Sequence, residues 1–489
     1  MAPFIVACMF FTLKTPLGGC AGLSEEYVIN GWNQFHTGTH SYHFVSTSIP
    51  NLFRPPGYSY FIAKVIALTN PGMKPDPSQV IILSGSRFYY PSETTFNNVE
   101  SVCKKVYFIQ AILLGLSGVF ICAALFPFLG SKVSTLLSLS FSLNPLLILL
   151  TGMEHYEILN LFALIIATIV LGYSLRTRNR FTMLISGCLF GISTLIRPLT
   201  LILPFPLLII SWFMYRNDGK SFLIQNTFFV LGFLVVITPW TLRNYEISGR
   251  FIPVNAQSGI AFWSSSAVPL SLESNVYHWT NLFEGEMKDV YVKYVGPDYN
   301  SLEDYVSRVL KIENVYKKEF IKNLGNQPYV YLGNIIRNGF LYSTGINSIK
   351  LDAFSYIQNK ENILTLDHFI KGDSNLSGGF CLSRFYYVEI FILSIVGMIG
   401  LCLSLFYKTP FGQGSLIVYI CLLLAHSISY MDLMYYYSKI PFLYIGVGVL
   451  IFYLDSCLMQ NRIMKHLVRL GIPSLLVIAN LVVLAFLFI

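Results

Sequence analysis

The sequence predicts an all-α polytopic membrane protein, and three observations predict it. First, only 12% of the 489 residues are charged while 54% are hydrophobic, and mean hydropathy is +0.58; a soluble domain carries about 25% charged residues. Second, the apolar residues fall in runs, most of them near the roughly 17–25 residues that cross a bilayer as a helix. Third, the basic residues between these runs collect in alternate short loops, as cytoplasmic loops do. Together these exclude a disordered chain and argue against a soluble globular enzyme. The net charge of +8 then reflects loop topology and gives no argument for nucleic acid as a partner. The nine cysteines form no CxxC pair and no Cys/His metal spacing, so they read as small buried hydrophobes.

Eleven spans follow in order: 2–13, 105–128, 133–150, 156–175, 181–196, 199–215, 222–240, 385–407, 414–429, 440–454 and 471–489. Run 2–13 is too short to cross alone. It lacks a basic leader and a cleavage site, so it reads as an incomplete helix rather than a signal peptide. Arg176, Arg178 and Arg180 fill one short loop, which places that loop in the cytoplasm. Counting outward puts Lys132, Arg216 with Lys220, Lys408, and Arg462, Lys465 and Arg469 on the same side. Run 55–68 contains Lys64 and is too short to span, so it reads as a helix lying at the interface. Residues 14–104 then form a long first exterior loop. Residues 245–384 form a small water-facing exterior module with 14 acidic and 13 basic residues, a helical stretch at 305–324 and a second interfacial helix at 328–342. The chain divides into an N-terminal membrane module over 1–244, the exterior module over 245–384, and further spans over 385–489.

Charged residues at the outward ends of spans are the candidates for chemistry, because a purely structural bundle does not need them there. Glu25 and Glu26 lie in Ser24-Glu25-Glu26-Tyr27, where two adjacent carboxylates offer a general base. Arg54 precedes Pro55-Pro56-Gly57-Tyr58, and proline suits a first helical turn, so Arg54 sits at the start of a helix. A guanidinium binds phosphate bidentately. Glu154 and Glu157 in Glu154-His155-Tyr156-Glu157 are three apart and share a helix face; an acid there also favours the helix dipole. No ligand set surrounds His155, which reads as incidental. Arg197 before Pro198, and Arg243 in Pro239-Trp240-Thr241-Leu242-Arg243-Asn244-Tyr245, run against the topological bias. With Arg54 they point to an anionic ligand. No phosphate-cradling glycine loop, HExxH, GxSxG or dinucleotide fingerprint is present, so nucleotide-driven chemistry is unsupported. The acids and arginines suit a donor that carries its own phosphate and a lipid tail. Paired acids bind a divalent ion as readily as they activate a hydroxyl, so a divalent metal ion stays open as a cofactor and no other is indicated.

With these motifs in order, the chain resembles the GT-C membrane glycosyltransferases of the protein-mannosyltransferase and lipid A aminoarabinose-transferase type. Glu25-Glu26-Tyr27, Thr37-Gly38 and Arg54-Pro55-Pro56-Gly57-Tyr58 resemble that family's first exterior loop. Gln110, Glu157-Ile158-Leu159 and Leu195-Ile196-Arg197-Pro198 resemble later helix starts and ends. Thr238-Pro239-Trp240-Thr241-Leu242-Arg243-Asn244-Tyr245 followed by Gly249-Arg250-Phe251-Ile252-Pro253-Val254 is the most specific piece, and Tyr436-Tyr437-Ser438-Lys439-Ile440-Pro441 resembles a late element. The family's aspartate before the tyrosine falls at Ser24 or Leu23, and its late arginine is replaced by Lys439. The resemblance implies a bundle of about eleven spans in a bacterial inner membrane, with the site facing the periplasm. It implies transfer of a sugar from a polyprenyl-phosphate donor to an acceptor hydroxyl of a lipid, glycan or protein, with inversion. On that reading Glu25, or alternatively Glu26, is the base, and Glu157 is a second acid. Arg54, Arg197, Arg243 and Lys439 hold the donor phosphate, and Glu154 and Tyr58 position the acceptor. A lipid-linked-saccharide flippase, or a non-catalytic envelope-glycan assembly protein, is the alternative, although neither inverted repeats nor polar mid-bilayer residues stand out.

Overall fold

The computed structural model describes residues 23–44, 48–84, 87–215, 217–267, 301–344, 379–407, 409–428, 437–458 and 462–488. The predicted span 2–13 lies outside the described residues, as do 268–300 and 345–378 of the exterior module. The described chain is helical apart from two short antiparallel hairpins in the first loop: β1 (Ser41–His43) with β2 (Ser48–Pro50), and β3 (Ile82–Ser84) with β4 (Arg87–Tyr89). The first loop also holds α1 (Leu23–Thr37) and α2 (Gly57–Thr69). Among the described residues, seven helices are long and apolar enough to cross a membrane, and two shorter apolar helices accompany them. Ten of the predicted spans coincide with described helices.

The spans at 105–128 and 133–150 begin as one helix, α3 (Glu93–Ser142), which is broken at Gly130, where φ is 73°. A positive φ suits glycine, so the helix reverses its course there. α4 (Pro145–Thr151) continues it, with the Asn144 side chain accepting from Leu147 N at 3.3 Å and proline in the first turn. Then come α5 (Glu157–Thr177), α6 (Arg180–Ile196), α7 (Pro204–Met214) and α8 (Gly219–Ser248). The exterior module contributes α9 (Ser258–Ala267), α10 (Leu302–Asn326) and α11 (Pro328–Thr344). Helices α12 (Gly379–Tyr407), α13 (Pro410–Ile428), α14 (Ile440–Cys457) and α15 (Ile472–Phe488) complete the bundle.

The predicted interfacial helix at 55–68 corresponds to α2, whose 13 residues are too few to span. It packs Tyr58, Ile62, Val65 and Ile66 against Tyr27, Val28 and Trp32 of α1 and against Val99, Val102 and Val106 of α3. A further apolar cluster of Phe44, Ile49, Leu52, Ile252, Tyr305 and Val309 joins the first loop to the exterior module. The first loop is therefore a folded cap over the helix ends beside it.

Lipid offers little hydrophobic drive between spans, so small residues set how closely they pack. At the α12–α14 crossing a Cβ on Gly446 would fall 2.0 Å from Gly397 O, and one on Gly400 would fall 1.8 Å from Gly446 O. Neither carbonyl can move without breaking its helix. Gly446→Val is expected to destabilise the protein by about 1–3 kcal/mol or more, read as a lowered apparent melting temperature in detergent. An unchanged melting temperature would contradict this close approach.

Candidate active site

Two acid–arginine pairs form where the first loop meets the start of α5 and the end of α6. In the first, Arg54 Nε donates to Glu26 Oε2 at 2.6 Å, and Tyr42 OH donates to the same oxygen at 3.4 Å. In the second, Arg197 Nη1 donates to Glu157 Oε2 at 2.8 Å, with side-chain exposures of 4% and 3%. Local sequence fixes each partner's place. Glu157 opens α5, where an acid is favoured by the dipole. Arg197 closes α6 because Pro198 bars the residue before it from helix. Asn51 Oδ1 accepts from Phe53 N and Arg54 N at 2.8 and 2.9 Å, which sets the turn that aims Arg54.

An aromatic cluster joins the two pairs. The Tyr27 ring meets Tyr58 and Tyr156 at 5.8 and 5.4 Å. Arg54 lies 5.7 Å over Tyr27, and Arg197 lies 5.7 Å over Tyr156. Burial first, with Glu26 adding to it against the two arginines, pushes the Tyr27 hydroxyl up to about 12. Arg197 and Arg54 both bear on His155. The arginines from two distant segments thus converge on one region.

Tyr107 OH donates to Glu154 Oε1. Tyr58 is fully buried and its hydroxyl donates to Gln110 Oε1 at 3.0 Å, while Gln110 Nε2 donates to the carbonyls of Thr151 and Met153 at 3.0 and 2.8 Å. Tyr58 and Glu154 therefore tie the first loop and α3 to the turn that carries Glu157.

Arg243 and Lys439, expected on the donor phosphate, are directed to backbone in this structure. Arg243 donates from Nη1 to Asn51 O at 2.7 Å and from Nη2 to His40 O at 2.9 Å, with Trp240 stacked at 4.4 Å. Its fork clamps the base of the β1–β2 hairpin to α8, where His40 O also accepts from Asn51 N at 3.0 Å. Lys439 is fully buried and donates to the carbonyls of Tyr342 and Ser343. Glu25 lies on α1, but its side chain is outside the described residues. Among the described residues no group of three His, Cys, Asp or Glu side chains could hold a metal ion.

His155, read as incidental from the sequence, stands inside the site: its ring lies 4.1 Å from Tyr156, and Nδ1 is 3.9 Å from Glu157 Oε1. Only the neighbouring Glu157 marked it in the sequence. Burial, then Arg197 and Arg54, pushes His155 down to about 3, and burial with Arg243 does the same to His40. Both rings are neutral when folded but titrate near 6.5 when unfolded. Between those values the unfolded chain binds the extra protons. Stability is therefore full above about pH 6.5 and falls as pH drops towards 3, by about 1.4 kcal/mol per unit for each ring. Thermal unfolding across pH 7.5 to 5 should show a flat region and then a decline, made shallower by His155→Gln. A flat profile throughout would contradict the neutral assignment.

No protein-family profile matches the sequence, and no curated protein matches it. Among solved structures, the apo oligosaccharyltransferase of Archaeoglobus fulgidus matches over 100% of this chain and 55% of its own, at 11% identity and a TM-score of 0.50. ArnT from Cupriavidus metallidurans bound to undecaprenyl phosphate matches over 91% of this chain and 77% of its own, at 12% identity and a TM-score of 0.41. The chain spans about half the length of the oligosaccharyltransferase. The chain shares its fold with this oligosaccharyltransferase, and its described residues form an all-α protein with seven helices long and apolar enough to cross a membrane.

Proposed function

We propose that the protein transfers a sugar from a polyprenyl-phosphate-linked donor to an acceptor hydroxyl on the non-cytoplasmic side of the membrane. The observation that carries this reading is the convergence of Glu26–Arg54 and Glu157–Arg197 from separate segments around Tyr27. The shared fold with an oligosaccharyltransferase agrees with a lipid-linked donor. The non-cytoplasmic side rests on the arrangement of basic loops.

In this reading a carboxylate of the first loop accepts the proton of the acceptor hydroxyl. Glu26 takes that role, because its side chain faces the arginines; Glu25 is its alternative. The acceptor oxygen then bonds to the anomeric carbon while the bond from that carbon to the phosphate oxygen breaks on the opposite face. That course inverts the anomeric centre. The electron pair leaves with the lipid phosphate, and fixed cations stabilise the charge that develops there. Arg54 and Arg197 supply those cations. An incoming phosphate competes with Glu26 for the Arg54 guanidinium, so donor binding releases the carboxylate to act as base. Glu157 keeps Arg197 oriented and charged.

Purified protein in detergent, given a prenyl-phosphate sugar and a hydroxyl acceptor, should consume donor and release prenyl phosphate. A flippase has no second compartment in detergent and would leave the donor intact, as would a binding protein. Absence of turnover with every prenyl-phosphate sugar offered would sink the enzymatic reading.

A further inference from the structure

Helix α5 starts at Glu157 and α6 ends beside Arg197, so the turn between them, at Arg178 and Asn179, lies at their far ends. That is about 30 Å from the candidate site along α5, at roughly 1.5 Å per residue. The α7–α8 turn is bonded to it. Arg178 Nη1 donates to Asp218 Oδ2 at 2.8 Å, Tyr215 OH donates to Leu175 O at 3.1 Å, and Gln225 Nε2 donates to Arg178 O at 2.7 Å. Arg178 has a left-handed φ of 54°, a conformation that suits glycine better. Its ion pair and the Tyr215 ring, 5.3 Å from its guanidinium carbon, hold it there. The two turns thus form one platform.

Asp218 is the one acidic residue from Ile158 to Tyr245, and it is already engaged. Besides Arg178, it accepts from Ser221 N and Ser221 Oγ at 3.0 and 2.6 Å. Arg176, Arg180 and Lys220 are exposed on the same two turns. Arg180 lies 5.9 Å over the Phe228 ring. Arg176 suits the last turn of α5, but Arg180 and Lys220 stand in the first turns of α6 and α8, where the helix dipole disfavours a cation. The starts of both helices are capped by Asn179 and Asp218, so the charge presented here belongs to the three side chains.

Exposed apolar side chains border the platform. Phe181, Trp212 and Leu223 are 64%, 56% and 66% exposed. Trp212, near the end of α7, packs edge-on against Phe222 of α8 at 5.3 Å, and tryptophan is favoured at the level of the lipid head groups. A topology signal requires only that basic residues lie in such loops. It does not require the loops to be bonded together with their single carboxylate consumed.

We infer that the joined α5–α6 and α7–α8 turns bind the phosphodiester head group of an anionic glycerophospholipid. Arg176, Arg180 and Lys220 take the phosphate charge, and Phe181, Trp212 and Leu223 lie against the acyl chains. The partner is membrane lipid on the face opposite the candidate active site. The full-length protein in detergent, titrated with phosphatidylglycerol or phosphatidylcholine and read by native mass spectrometry, should bind phosphatidylglycerol at least about tenfold more tightly. The triple variant Arg176→Gln, Arg180→Gln, Lys220→Gln, which keeps the Arg178–Asp218 pair, should bring the two affinities within about twofold of each other, since a cation near an anionic lipid surface is worth roughly fivefold in binding. The triple variant Lys317→Gln, Lys318→Gln, Lys322→Gln removes the same charge from α10 and should keep the preference. Inorganic phosphate at the lipid's concentration should not displace phosphatidylglycerol. Equal affinity for the two lipids in the wild type, a preference that survives the first triple variant or is lost in the second, or displacement by inorganic phosphate would each overturn this lipid site.

Discussion

Replacing Arg197 with methionine is expected to destabilise the protein by about 3–5 kcal/mol. The reason is the carboxylate left behind. Glu157 and Arg197 are almost fully buried and 2.8 Å apart, so removing one charge strands the other where water cannot reach it. Glu157→Gln is expected to cost a similar amount. The double variant Glu157→Gln with Arg197→Met should recover much of the loss, because it removes both desolvated charges together. Sugar transfer should separate from stability: the double variant folds yet stays inactive, since the phosphate-facing guanidinium is gone. A single Arg197→Met variant with the wild-type melting temperature would show that the pair contributes little. An active double variant would remove Arg197 from the donor site.

Glu26→Gln should lower the turnover rate by roughly 10²- to 10⁴-fold, the usual contribution of a positioned general base. The amide keeps the size of the side chain and an oxygen that can accept from Arg54, so the protein should fold, less stably for the lost counter-charge, and donor binding should not weaken, because phosphate no longer competes with a carboxylate. The loss belongs in kcat, because the proton is taken only as the reaction proceeds. Glu25→Gln is the matched comparison, one residue away on the same helix. If Glu25→Gln abolishes transfer and Glu26→Gln does not, the base is Glu25. If both variants keep full activity, the first loop does not supply the base. Arg54→Lys should also lose activity, since a point charge does not reproduce the guanidinium fork.

Much of the architecture was legible in the residues. Hydropathy is a local property, so runs such as 156–175 and 181–196 announce α5 and α6 without knowledge of their neighbours. Arg197-Pro198 likewise announces a helix end, because proline constrains the residue before it. The acids and arginines were legible as a set, since charge at an outward helix end is costly unless used. Their pairing was not: Arg54 finds Glu26 across 28 positions and Arg197 finds Glu157 across 40. Nothing local distinguishes Arg243, which clamps His40 and Asn51 carbonyls nearly two hundred positions away, from an arginine aimed at phosphate.

The sequence by itself determined the solvent and the class: scarce, sorted charge and long apolar runs make a multi-span membrane protein, because lipid admits backbone only as satisfied helices or closed barrels. Only the tertiary structure decided which cations pair with carboxylates and which serve the backbone. Lys439, for example, is taken up by the backbone carbonyls of Tyr342 and Ser343, nearly a hundred positions away in the chain. The tertiary structure also brought His155 into the site, because burial between two arginines is a property of the packed loop and not of its residues in order.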